Sequence, residues 1–139
     1  YLKQWGVGLT REQFFDFWFR AEQEVPEMVS FARELKSRGV RLFVLSNNFA
    51  ERTAYYESTF PFLHEIFGRV YLSWQTGFTK SNPQAYRLVL DENHLAAEEC
   101  LFFDDSPENI ATASALGIRA FLFEGVEKLK EVLRLHRVF

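Results

Sequence analysis

The chain has 139 residues, of which 47% are hydrophobic, 25% charged and 17% aromatic, with sixteen phenylalanines. That length buries roughly two-thirds of the extended-chain surface, and the apolar fraction excludes the disordered class. A formal charge of -3 without a run of five or six like charges leaves no electrostatic footprint for nucleic acid or an anionic membrane, so neither is expected as a partner. The single cysteine, Cys100, cannot close an internal disulfide. No leader pattern opens the chain, and no apolar stretch approaches the ~18 residues of a membrane span. These features read as a cytoplasmic protein, and a start at Tyr1 instead of Met reads as a trimmed or fragmentary chain.

Thr10 followed three residues later by Gln13 forms a capping-box pattern, and Phe14, Phe17, Trp18 and Ala21 recur at helical spacing, predicting a helix over 10–24. Pro26 fits the first turn of a second helix that stops at the sequence SRG, 37–39. The period then changes. VRLFVLSNN (40–48) reads as a buried parallel strand broken by Ser46-Asn47-Asn48, and RVYLS (69–73) as the next strand. GFTKSNPQAYRLVLDEN (77–93) reads as a loop entering a helix near Pro83. CLFFD (100–104), a helix over 107–117, IRAFLF (118–123) and an amphipathic helix over 126–136 complete the chain. This alternation predicts an α/β fold with an open, mostly parallel sheet of about four strands and flanking helices.

In such sheets ligands sit outside the carboxyl ends of the strands. There the sequence places Ser46, Asn47 and Asn48, then Asp104 and Asp105, with Lys80 in a loop before a helix. Hard carboxylate oxygens hold Mg²⁺, a hydroxyl and amide donors bind phosphate oxygens, and a lysine offsets the charge. The set therefore suits a phosphoryl group. Each member also has a plainer role: Ser46 to Asn48 as turn formers, Lys80 as a solvated charge, and Asp104 and Asp105 as cap and first-turn acids of the helix that follows. His64, His94 and His136 show no paired ligand spacing, and Trp5, Trp18 and Trp74 are assigned to packing or to surface left by a cap.

VRLFVLSN (40–47), GFTKSNPQAY (77–86) and CLFFDDSPENIATASALGI (100–118) resemble motifs II, III and IV of the haloacid dehalogenase (HAD) superfamily, in order and across almost the whole chain. GLTREQFFDFW (8–18) and RVYLSWQTGFTK (69–80) are similar to the subgroup of bacterial sugar-phosphate phosphatases and the phosphatase domain of epoxide hydrolases. The resemblance implies a Rossmann-like core over 26–139 preceded by a remnant of a helical cap over 1–25. It also implies Mg²⁺-dependent hydrolysis of a small phosphorylated metabolite. Ser46 matches the hydroxyl that binds the transferring phosphoryl group, with Asn47 as a second donor. Lys80 matches the motif III lysine, although the usual KPDP is KSNP here. Asp105 matches the metal-binding acid, with Asp104 as a second ligand or an orienting acid, and Asn109 stands where relatives often carry an acid.

The family's nucleophile belongs to a D-x-D motif ending a strand upstream of Ser46, and this chain lacks a match. Asp16 in FFDFWF (14–19) is followed by Trp18 where the second acid belongs, and its neighbours keep a helical period. The chain is therefore expected to lack the central strand of the sheet and to be inactive or weakly active, in a parent protein that is a phosphatase. A degenerate domain that binds metal or phosphate, or serves as an interaction module, is the alternative. Without a central strand, the strands ending at Ser46 and Asp104 must pair directly, leave a gap or accept a strand from elsewhere. Direct pairing or a strand-exchanged homo-oligomer is expected.

Overall fold

The structure, a computed structural model, describes residues 4, 6 and 8–139, so Trp5 lies outside the described residues. Helix α1 (Arg11–Phe19) opens with the expected capping box, in which Thr10 accepts from the Gln13 backbone and Gln13 accepts from the Thr10 backbone. α2 (Pro26–Ser37) carries Pro26 in its first turn. Then follow β1 (Phe43–Ser46), α3 (Ala50–Thr59), α4 (Phe62–Ile66), β2 (Arg69–Leu72) and α5 (Ser73–Thr76). The remainder is α6 (Pro83–Asn93), β3 (Leu101–Asp104), α7 (Pro107–Ala115), β4 (Arg119–Leu122) and α8 (Val126–Leu135). Helices α3, α4 and α5 go beyond the elements read from the sequence.

All pairing is parallel, but it falls into two separate ladders. β1 pairs with β2, from Phe43 opposite Arg69 to Ser46 opposite Leu72. β3 pairs with β4, from Leu101 opposite Arg119 to Asp104 opposite Leu122. The expected direct pairing of the strands ending at Ser46 and Asp104 does not occur: β1 and β3 belong to different ladders. Of the three outcomes weighed, the described residues show the gap.

The two ladders nonetheless share one layer, as the cores on either side show. Phe31 and Leu35 of α2 and Leu129 and Leu133 of α8 pack with Leu42 ahead of β1 and with Leu101 and Phe103 of β3. On the other face Ala85 and Tyr86 of α6 and Ala113 of α7 pack with Leu45 of β1, Phe102 of β3 and Ala120 of β4. Successive strand residues point to opposite faces, so each ladder supplies side chains to both helical layers. Burial of these aliphatic and aromatic groups, at about 25 cal/mol per Å² of apolar surface, joins the ladders; backbone hydrogen bonding between β1 and β3 does not.

Candidate phosphate site at the strand ends

The carboxyl ends of β1 and β3 are tied together by one residue, Lys80. Its ammonium lies 2.6 Å from Asp104 Oδ2, with the two side chains only 16% and 4% exposed. Its backbone N–H donates to Asn47 Oδ1 at 2.8 Å. Its carbonyl accepts from the Tyr86 hydroxyl at 2.8 Å, and the same hydroxyl lies 3.1 Å from the Asn109 carbonyl. Tyr86 is fixed in turn by burial and by an edge-on contact with Phe102, at 5.3 Å between ring centroids. The loop that carries Lys80 ends at Asn82, whose side chain accepts from the Gln84 backbone and caps α6. Asn82 thus has a definite role in the departure from the KPDP pattern.

Asp104 is buried because strand alternation turns it, like Phe102, toward the layer of α6 and α7. Its Oδ1 accepts from the Ser106 backbone and from Asn109 Nδ2, both at 2.9 Å. Burial alone pushes its pKa up. The hydrogen bond from Lys80, then those from Asn109 and the Ser106 backbone, outweigh burial and hold the carboxyl below its ordinary value. Tyr86 is pushed up to about 12, by burial first and then by the charge of Asp104, so it remains a donor at any working pH.

Asp105, the next residue, is exposed and makes no hydrogen bond or ion pair among the described residues. Asn47 is exposed with its amide oxygen committed to Lys80, which leaves its Nδ2 protons available. Ser46 ends β1 partly exposed, its hydroxyl unpaired among the described residues. Asn48 turns inward: its backbone N–H donates to Ser73 Oγ, and Ser73 Oγ donates to its carbonyl, both at 3.0 Å. The structure therefore joins Asn47, Lys80, Asp104 and Asn109 in one hydrogen-bonded chain, with Ser46 and Asp105 adjoining it in sequence. Asp16 stands apart from it, in α1, with its carboxylate 2.6 Å from Arg20 one turn on.

Mg²⁺ is held in proteins by one or two carboxylates together with waters and substrate phosphate oxygens. Asp105 fits that pattern as the free acid, whereas both oxygens of Asp104 are already engaged. Among the described residues no group of three or more His, Cys, Asp or Glu side chains converges, so an ion here would draw its remaining ligands from water and phosphate.

Tyr86 is the residue that sequence reasoning passed over. Its place four residues into the helix after Lys80 looks like an ordinary core position, and only the fold brings Asn109 to the same hydroxyl.

Amide, ammonium and carboxylate groups thus gather at the carboxyl ends of parallel strands, where open α/β sheets bind their ligands. A family model for haloacid dehalogenase-like hydrolases matches residues 7–117, and the chain belongs to that family. It is similar to a phosphatase of Mycobacterium tuberculosis, 29% identical over 102 residues that are 73% of this chain and 47% of the relative. The chain thus spans about half the length of that curated relative. Among solved structures, a predicted HAD-like hydrolase of Porphyromonas gingivalis superposes with a TM-score of 0.79 at 28% identity, covering 98% of this chain and 69% of that one. A HAD family enzyme of Bacteroides thetaiotaomicron, in complex with magnesium and inorganic phosphate, superposes with a TM-score of 0.72 at 23% identity, covering 87% and 64%. No helix among the described residues is long and apolar enough to cross a membrane.

Proposed function

We propose that the parent protein is a cytoplasmic Mg²⁺-dependent phosphatase of small phosphomonoesters, sugar phosphates being the class that the sequence resemblance brings forward. The described residues supply its phosphate cradle but little turnover. The observation that carries this reading is Lys80, a nearly buried cation fixed between Asn47 and Asp104 at the carboxyl ends of two parallel strands. In it, the Ser46 hydroxyl, the Asn47 Nδ2 protons and the Lys80 ammonium bind phosphate oxygens. Asp104 orients the lysine, and Asp105 holds the metal. Mg²⁺, when bound, supplies positive charge that offsets the phosphate's. The name of the Mycobacterium relative and the magnesium and phosphate in the Bacteroides structure support the same reading.

Turnover requires a nucleophile within reach of phosphorus. Asp16, the sequence candidate, is occupied by Arg20 on an exposed face of α1. A strand inserted between β1 and β3 would both fill the gap and bring new groups to the strand ends. Exchange of such a strand between copies is the form of homo-oligomer that fits this reading.

The test is a thermal melt with Mg²⁺ and inorganic phosphate. Ligands that bind only the native state raise the melt by mass action, and the rise is expected in the wild type and lost in Asp105→Asn. A melt unmoved by both ligands would leave only an interaction module. Alongside it, p-nitrophenyl phosphate hydrolysis is expected near background. Robust hydrolysis abolished by Asp16→Asn would reverse the dismissal of that residue.

A further inference from the structure

A cleft separate from the strand-end cradle is formed by α3, α4, α5 and β2, and it encloses about 120 Å³. One ordered water needs about 10–15 Å³ of such space, so the cleft takes a molecule of several heavy atoms. Asn48, Thr53 and Leu72 are its buried residues, and Leu63 and Val70 add apolar wall. Glu57, His64 and Gln75 stand exposed at its rim. Ser46, Asn47 and Lys80 take no part in its lining.

Asn48 is 6% exposed, and its Oδ1 accepts from the Phe49 N–H at 2.9 Å. That bond fixes the amide, because exchanging its oxygen and nitrogen would set two donors against each other. Nδ2 is then a buried donor with no hydrogen-bond partner among the described residues, a costly condition for a polar group. The other groups beside it are spent as donors. Thr53 gives its hydroxyl proton to the Phe49 carbonyl and accepts from the Trp74 indole, both at 2.9 Å, and Tyr56, also in the lining, donates to Glu22. Thr53, Tyr56 and Glu57 can therefore only accept, while Gln75 and His64 at the rim can do either.

One free donor in the buried part of a cleft otherwise lined by acceptors selects its ligand. A carboxylate would satisfy Asn48 but meet the like charge of Glu57, and an ammonium would leave Nδ2 unpaired. An alcohol carries both functions on one atom, whereas Asn48 is buried and Glu57 stands at the rim. A neutral amide carries an acceptor and donors on separate atoms. We infer that the cleft is an accessory site for a small neutral amide, its carbonyl oxygen accepting from Asn48 Nδ2, its N–H donating at the Glu57 rim and its hydrocarbon part lying against Leu63, Val70 and Leu72. The site is independent of the phosphate chemistry at the strand ends.

The experiment is a titration at pH 8, followed by ¹H–¹⁵N spectra that include the Asn48 side-chain signals, with four compounds sharing one isopropyl group: isobutyramide, isobutyrate, isobutylamine and isobutanol. Isobutyramide is expected to give a saturable shift of the Asn48 signals with a Kd of about 1 mM, and the other three to bind about tenfold more weakly. Asn48→Asp keeps the acceptor for Phe49 and removes the donor, so the lead of the amide over isobutylamine should vanish. Glu57 is exposed, so Glu57→Gln reports even where Asn48→Asp fails to fold: it should bring isobutyrate to within about threefold of the amide. An Asn or Gln side chain of a polypeptide presents the same chemistry, and N-acetylglutamine N-methylamide is expected to bind no more tightly than isobutyramide. Tighter binding of that peptide mimic would overturn the small-molecule assignment. Absence of a saturable shift, equal affinity for any of the other three compounds, or a lead over isobutyrate unmoved by Glu57→Gln would overturn the inference, and each leaves the phosphatase reading standing.

Discussion

Removing the carboxylate of Asp104 should be far more damaging than its share of the surface indicates. Asp104→Ala deletes the acceptor of three hydrogen bonds and leaves the Lys80 ammonium, the Asn109 amide and the Ser106 N–H without it. With the pair only 16% and 4% exposed, solvent cannot readily replace that partner, and breaking one side of a buried pair costs about 3–5 kcal/mol. At about 2–4 °C per kcal/mol for a domain near this size, the melting temperature should fall by roughly 10 °C. The check is urea unfolding followed by circular dichroism at pH 7 for wild type, Asp104→Ala, Lys80→Met and the double variant. Because one group's loss already wastes the other, the double should be less destabilised than the sum of the singles, by about 1–3 kcal/mol. A loss below about 1 kcal/mol for Asp104→Ala, or additivity within about 0.5 kcal/mol, would refute the assignment of Lys80 and Asp104 as one coupled unit.

Asp105→Asn, by contrast, touches no internal partner and should change stability by no more than about 0.5 kcal/mol, while removing the Mg²⁺-dependent rise in the melt. Acid titration should report on Asp104. The folded-state pKa of Asp104 is depressed, so its contribution is present above the ordinary carboxylate range and lost as pH falls through the lower folded value. Melts recorded from pH 6 down to pH 2.5 should accordingly show a shallower acid limb for Asp104→Asn than for wild type; parallel limbs would count against it. Tyr86→Phe removes the donor to the Lys80 and Asn109 carbonyls and should cost about 1–3 kcal/mol, measured by the same unfolding curves. Light scattering across a range of concentrations addresses strand exchange: a single monomer mass throughout would exclude it.

The strands, their succession along the chain and the residues at their ends were legible because each signal is local: a short apolar run, a break into Ser46-Asn47-Asn48 or Asp104-Asp105, and Pro83 or Pro107 opening the next helix; their pairing into β1–β2 and β3–β4 was not. Helices α3 and α4 were not legible either. Their N-cap residues, Phe49 and Pro61, supply no side-chain cap, and the dense aromatics of 49–67 show no clean apolar stripe: the buried residue of α3 is Thr53. The division of labour between the acids is partly a matter of parity, since Asp104 continues the alternation of β3 toward α6 and α7 while Asp105 leaves the strand. The choice of Lys80 as partner is tertiary. It depends on the turn held by Asn47 and Tyr86, contacts 33 and 6 residues away in sequence.

The gap between β1 and β3 also bears on how the molecule opens. Side-chain packing and the Lys80 bridge couple the two ladders, while each holds its own backbone hydrogen bonds. Such a layer need not open as one body. Hydrogen exchange should resolve two opening free energies, one for the amides of β1 and β2 and another for those of β3 and β4. A strand bonded to both inner edges would merge them into one, making completion of the sheet and global cooperativity the same event.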